Sequence, residues 1–184
     1  MSEVTRLLRK ARDLGDRQAV DEVVALLYPD LHRMAQARLA GNGTITLLDA
    51  TVIVHETYER LHRVAGIEAD CRGQFMAYAS QVMRSIIVDF ARKRRAERRG
   101  GSAVHVTLST DLLGEVSSDE DIERINEALD ELAGVDPRLK QVVEMRYFGG
   151  FGDVEIAQAL GVSERTVGRD WERARLLLQV SIRR

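Results

Sequence analysis

The chain has 184 residues, with 27 Lys+Arg against 29 Asp+Glu and a formal net charge of −2; at roughly 100–200 residues per domain this allows one medium domain or two small ones. Apolar residues make up 45% and charged residues 30%, a globular balance that excludes a disordered or membrane-spanning chain, while 5% aromatics and 2 Pro favour helices over a β-sandwich or barrel. The single Cys71 excludes an internal disulfide, and no apolar run exceeds Val23 to Tyr28, so a cytoplasmic chain without membrane contact is expected.

Taken in order, the helical periodicity predicts helices over 3–14, 17–40, 47–64 and 73–98. Gly15 and Asp16 supply a stop and a cap, and Pro29 is a point where the second helix can break. Thr46 with Asp49 makes a T-x-x-D capping box, so the third helix is expected to start at Leu47. At 100° per residue, Ala50, Ile53, Val54, Thr57, Leu61 and Val64 share its buried side. Thr51, His55 and His62 lie along one flank, with Val52, Glu56 and Glu59 outward. In the fourth helix Val82, Ile86, Ile87, Phe90 and Ala91 face inward, and Arg84, Asp89, Arg92, Lys93 and Arg95 lie on or near the other side. Helical spacing places Phe75 and Tyr78 in the core.

Residues 100–118, bounded by Gly100-Gly101 and Ser117-Ser118, read as a linker, since apart from a short VHVTL they show neither period. Helices resume over 119–133, 137–148, 153–160 and 164–180. The expected fold is all-α: two small helical domains, 1–99 and 119–184, on a tether.

Charge is segregated along this order. Arg84 to Arg99 holds seven basic residues against Asp89 and Glu97, Asp111 to Asp136 holds ten acids against Arg124, and Arg165 to Arg184 holds six Arg against Asp170 and Glu172. Two basic segments around an acidic one suggest two surfaces that touch a polyanion. The second coincides with a helix-turn-helix spacing. Val154, Ile156, Ala157 and Leu160 can face a core, Gly161-Val162-Ser163 turns and caps, and Val167, Trp171, Ala174 and Leu178 form one stripe. Arg165, Thr166, Arg169 and Arg173 fall on or beside the opposite face, as in a helix that enters the major groove.

Together these residues resemble the extracytoplasmic-function sigma factors of bacterial RNA polymerase. Val54-His-Glu-Thr-Tyr-Glu-Arg-Leu61 is similar to the family's "VQETFLRL" helix, and Phe75 to Arg95 to the helix that melts and reads the minus-ten element. Pro137 to Gly150 and the following helix-turn-helix are similar to the domain that binds the minus-thirty-five element. The resemblance spans roughly Val20–Ala96 and Asp119–Arg175. It implies promoter recognition without catalysis and without a cofactor or metal, with core RNA polymerase (β′ clamp helices and β subunit) and promoter DNA as partners. On that carry-over Arg84, Ser85, Asp89, Arg92 and Lys93 lie at minus-ten contacts, Ser85 standing where the family usually has Asn. Ser163, Arg165, Thr166, Arg169 and Arg173 lie at minus-thirty-five contacts. Polymerase binding falls on Asp49, Thr51, Val52, His55 and Glu56. There the family's acidic Asp-Ala-Glu-Asp run is reduced to Asp49, with Thr51 and Val52 replacing two acids. Thr51 is therefore a candidate phosphorylation switch for a Ser/Thr protein kinase, because a phosphate restores charge where a basic clamp is met.

Two other classes compete. His55-Glu-Thr-Tyr-Glu59 approaches a zincin H-E-x-x-H, but Glu59 stands at the second His. A helix-turn-helix repressor or response-regulator-like protein explains 119–184 and leaves 47–99 without a purpose.

Overall fold

The computed structural model describes residues 2–39, 49–64, 67–98, 108–110, 114–116 and 119–182. Helix α1 (Glu3–Leu14) begins where the Thr5 N–H donates to Ser2 Oγ at 3.3 Å and ends on Gly15. Asp16 Oδ1 accepts from the Ala19 N–H at 3.2 Å and opens α2 (Arg17–Leu39). Pro29 sits inside α2 and does not break it. It is exposed, while Leu27 and Leu31 on either side are buried, so core packing carries the helix across the missing donor.

Helix α3 (Ala50–Arg63) starts three residues later than expected. Asp49 is its cap, accepting from the Thr51 N–H at 3.3 Å; Thr46 lies outside the described residues. Ala50, Ile53, Val54, Thr57 and Leu61 are buried as their spacing requires. Val64 is 43% exposed instead, because the helix has ended and its backbone is extended. Helix α4 (Arg72–Arg98) completes this group. Within the expected linker two short antiparallel strands pair, β1 (Leu108–Thr110) with β2 (Gly114–Val116), in the register Ser109 to Glu115; the rest of 100–118 lies outside the described residues.

Beyond it come α5 (Asp119–Val135) and α6 (Pro137–Val143), the latter capped by Asp136, whose Oδ1 accepts from the Arg138 N–H at 3.0 Å. The segment expected to continue to 148 widens at Glu144–Phe148 into a π-helix. Its closing bond runs from the Gly149 N–H to the Glu144 carbonyl at 2.9 Å. Helix α7 (Asp153–Leu160) and α8 (Glu164–Ile182) follow, joined through Gly161 at φ 67°, a left-handed position that Gly occupies without strain. Val154 is 50% exposed rather than inward; Ile156, Ala157 and Ala159 take the buried side of that short helix.

One continuous cluster of apolar side chains forms the core. Leu8, Val23, Leu31, Ile53, Leu61, Phe75 and Met83 fill the space among α1–α4, and Leu129, Leu139, Val142, Met145, Ile156, Val167 and Leu178 that among α5–α8. Each fully buried side chain of this size contributes about 1.5–3 kcal/mol. Helix α4 makes the cluster continuous, packing on α2 and α3 and also on α5, the π-helix and α7. At its first turn it passes so near α7 that a Cβ placed on Gly73 would stand 2.9 Å from the Ala159 Cβ. No helix among the described residues is long and apolar enough to cross a membrane.

Candidate nucleic-acid interface

The geometry of α8 follows from its two ends. Ser163 accepts from the Thr166 N–H at 3.2 Å, and the two hydroxyls meet at 2.9 Å, so both residues are engaged in the cap. Val167, Ala174 and Leu178 lock one face into the core, and Trp171 packs beside them under the Arg146 guanidinium, 4.6 Å from the ring centroid. The other face is turned to solvent. Arg165, Arg169 and Arg173 are all exposed, the last two with side chains 73% and 59% accessible. Their spacing of four residues sets them over about 12 Å of helix, comparable with the width of a major groove.

The intervening acid gives its closest contact to a residue outside this row. Asp170 is buried and accepts from Arg138 Nε at 2.6 Å, whereas Arg169 Nε stays 3.9 Å away. Asp136 likewise lies 3.9 Å from Arg173. The Asp170 carboxylate holds the Arg138 guanidinium above its ordinary range.

On α4 the five residues singled out from sequence separate into three environments. Arg92 and Lys93 are exposed. Ser85 and Asp89 are tied to α3 by one arginine: Arg60 Nη1 donates to Ser85 Oγ at 2.7 Å and Nη2 to Asp89 Oδ2 at 2.6 Å. Arg84, expected near the solvent side, is buried, its side chain 11% accessible. Its Nη1 donates to Asn126 Oδ1 at 2.6 Å, Nε lies 2.9 Å from Glu144 Oε1, and Nη2 lies 3.7 Å from Asp130. Glu144 has no exposed surface, and burial pushes its carboxyl above the usual range, the nearby cations only partly offsetting this. Burial also pushes the Asp130 carboxyl up, but Lys140 at 2.8 Å, aided by Arg84, outweighs it and holds that group below its usual range.

On α3, Thr51, Val52, His55 and Glu56 are all exposed and adjacent, beside the capping Asp49. His62 is not gathered with His55 and Glu59. Its Nε2 lies 3.5 Å from Asp21, which also accepts from the Tyr58 hydroxyl at 3.1 Å. Among the described residues no three His, Cys, Asp or Glu side chains converge as a metal site would require. Arg60 is the residue that sequence reasoning missed. Nothing in the local pattern distinguishes it from a solvated arginine, since its partners are 25 and 29 positions away.

The model of the ECF sigma factor family matches residues 1–184. No curated protein matches the chain.

Proposed function

The chain belongs to the ECF sigma factor family, and from that premise we propose how it divides the work of a transcription initiation sigma factor, whose partners are core RNA polymerase and promoter DNA. Residues 1–99 grip the polymerase and the displaced promoter strand, residues 119–184 read the upstream duplex, and 100–118 join them. The observation that carries this is the row Arg165, Arg169 and Arg173: exposed, without an acid at hydrogen-bond distance among the described residues, and mounted on a helix whose other face is fixed in the core. Arginine supports both bidentate contact with guanine and phosphate neutralisation, so one row supplies affinity and readout.

The α3 surface supports the polymerase contact. Asp49, Thr51, Val52, His55 and Glu56 present one continuous outer patch, in which Asp49 and Glu56 are the acids that face outward. Thr51 is the second residue of α3, and its side chain is exposed. Phosphorylation there by a Ser/Thr kinase adds about −1.5 to −2 charges with acceptor oxygens for Arg or Lys, at a helix end that favours anions. The unmodified protein then docks weakly and the phosphorylated form docks well.

Reconstituted transcription with core polymerase tests both levels. Added protein should confer promoter-dependent initiation, which a repressor or response-regulator-like protein would not do. Phosphorylation at Thr51 should raise the affinity for core polymerase, and Thr51→Ala should abolish the kinase response while the domain stays folded. Equal core affinity with and without the phosphate rejects the switch and leaves the sigma function standing.

A further inference from the structure

We infer that the face of α4 running from Gly73 to Arg84 is a docking surface whose occupant is the chain's own α5–α7 segment, and that this closed form excludes the displaced promoter strand. The inference rests on the assignment of α4 to that strand made above.

Arg84 cannot serve both partners at once. Its guanidinium is directed at Asn126, Glu144 and Asp130, with the nearest atoms at 2.6, 2.9 and 3.7 Å. With the side chain 11% accessible, a phosphate or base can reach it only after the second group of helices has moved away. The pocket that receives it is an interior one. Glu144 is fully buried, on the π-helix that replaces the last turn of α6, and Lys140 joins Asp130 to the same cluster. Arg84 and Glu144 are withdrawn from water while Asp130 stays half-exposed at the rim, and the contacts of one guanidinium with all three residues tie α4 to α5 and the π-helix in one arrangement.

The contact has a second anchor. Gly73 lies eleven residues before Arg84, about 16 Å along α4. There α4 and α7 approach until a Cβ on Gly73 would meet both the Cβ of Ala159 at 2.9 Å and its Cα at 3.1 Å. Any larger residue at 73 must push α7 away. A small-residue contact at one end and a buried arginine at the other fix both separation and register.

The two DNA-facing regions are then affected unequally. Arg165, Arg169 and Arg173 remain exposed in the closed form, so duplex reading does not require opening. Arg84 is covered, so contact of the strand with that part of α4 does, while Arg92 and Lys93 farther along the helix stay exposed. Upstream duplex can be engaged first, and the whole strand-binding face, Arg84 included, becomes available only when α4 is released.

A reversible lock tests this directly. In full-length protein carrying Cys71→Ser, Gly73→Cys and Ala159→Cys, the two Cβ atoms need separate by only about an ångström to reach disulfide spacing. Oxidation should cross-link the free protein. Binding of fluorescent single-stranded DNA of random sequence should then weaken about tenfold or more, as expected when under a tenth of the molecules can open, and reductant should restore it. Gly73→Leu in the otherwise unaltered chain, folding checked by circular dichroism, should bind the same DNA more tightly than the parent. Failure to cross-link overturns the closed form. Equal binding by oxidised and reduced protein, or no gain in Gly73→Leu, overturns the exclusion. Efficient cross-linking with no strand binding in either state rejects the assignment of α4 to the strand, and the exclusion falls with it.

Discussion

Arg84 and Arg169 are the same residue on two long helices, both within basic stretches of the sequence, yet one is interior and the other is 73% accessible. The helix that carries each does not decide this. Arg169 has Val167 and Ala174 anchoring its helix on the far side, and its neighbour Asp170 is already taken by Arg138. Arg84 has Asn126, Asp130 and Glu144 brought to it by segments 42 to 60 positions later. Positive charge in sequence therefore marks a candidate for polyanion contact, and the tertiary partners decide whether it is presented or consumed.

Substitution at the two sites should separate stability from binding. Arg84→Ala leaves Glu144 buried without its nearest cation, and should destabilise the docked arrangement by about 3–5 kcal/mol. Hydrogen exchange along α5 and the π-helix should rise accordingly. Unchanged protection there would mean that the Arg84 cluster contributes little. Arg169→Ala should leave folding within about 0.5 kcal/mol of the parent.

In binding the order reverses. Alanine at Arg165, Arg169 or Arg173 should cost about 1–3 kcal/mol of duplex affinity where the contact is to a base, with specificity relaxed at that position. A phosphate contact should instead weaken all sequences alike and reduce the salt dependence. Titrations of duplex promoter DNA at several salt concentrations distinguish these outcomes, and parental affinity in all three variants would place the reading face elsewhere.

The acidic partners of Arg84 respond to pH in opposite senses. Burial raises the Glu144 pKa above its ordinary 4.5, so its contribution is full below that value and is lost as pH rises through the raised one. Asp130 is held below its ordinary 3.8, so its contribution is present above that value and lost as pH falls. Glu144→Gln should remove only the loss on the alkaline side, measured by urea unfolding across pH. A profile unaltered by Glu144→Gln would show that this carboxyl does not sense docking.

The smallest expected effect is at α3. Asp49→Ala removes its N-cap and should cost about 1 kcal/mol, read as a lower thermal midpoint. Thr46→Ala should change little if Asp49 is the cap, which distinguishes the two candidate starts of this helix.

The all-α class was legible because local signals and periodicity agreed. Gly15 with Asp16 stopped one helix and capped the next, and Gly161 with Ser163 did the same before α8. At α3 the spacing paired Thr46 and Asp49 in one capping box opening at Leu47, whereas in the structure Asp49 is itself the cap. The exposed row on α8 was also legible, since Val167, Ala174 and Leu178 define its opposite. The environment of Arg84 and the bonds from Arg60 to Ser85 and Asp89 were not. Both depend on contacts between helices distant in sequence, which a helical period cannot encode. The π-helix at Glu144 escaped for a related reason: a one-residue widening leaves the apolar pattern of Val142, Val143 and Met145 almost unchanged.

The division of labour between α4 and α8 is tested most directly by permanganate footprinting of a promoter opened by reconstituted holoenzyme, comparing the parent with Arg92→Ala/Lys93→Ala. These two side chains are exposed and outside the Arg84 cluster, so their loss should spare both folding and polymerase assembly. The account predicts that the holoenzyme still forms and still occupies the upstream duplex, while reactive thymines in the bubble diminish. Full thymine reactivity in the variant, or loss of polymerase binding by a properly folded one, would contradict it.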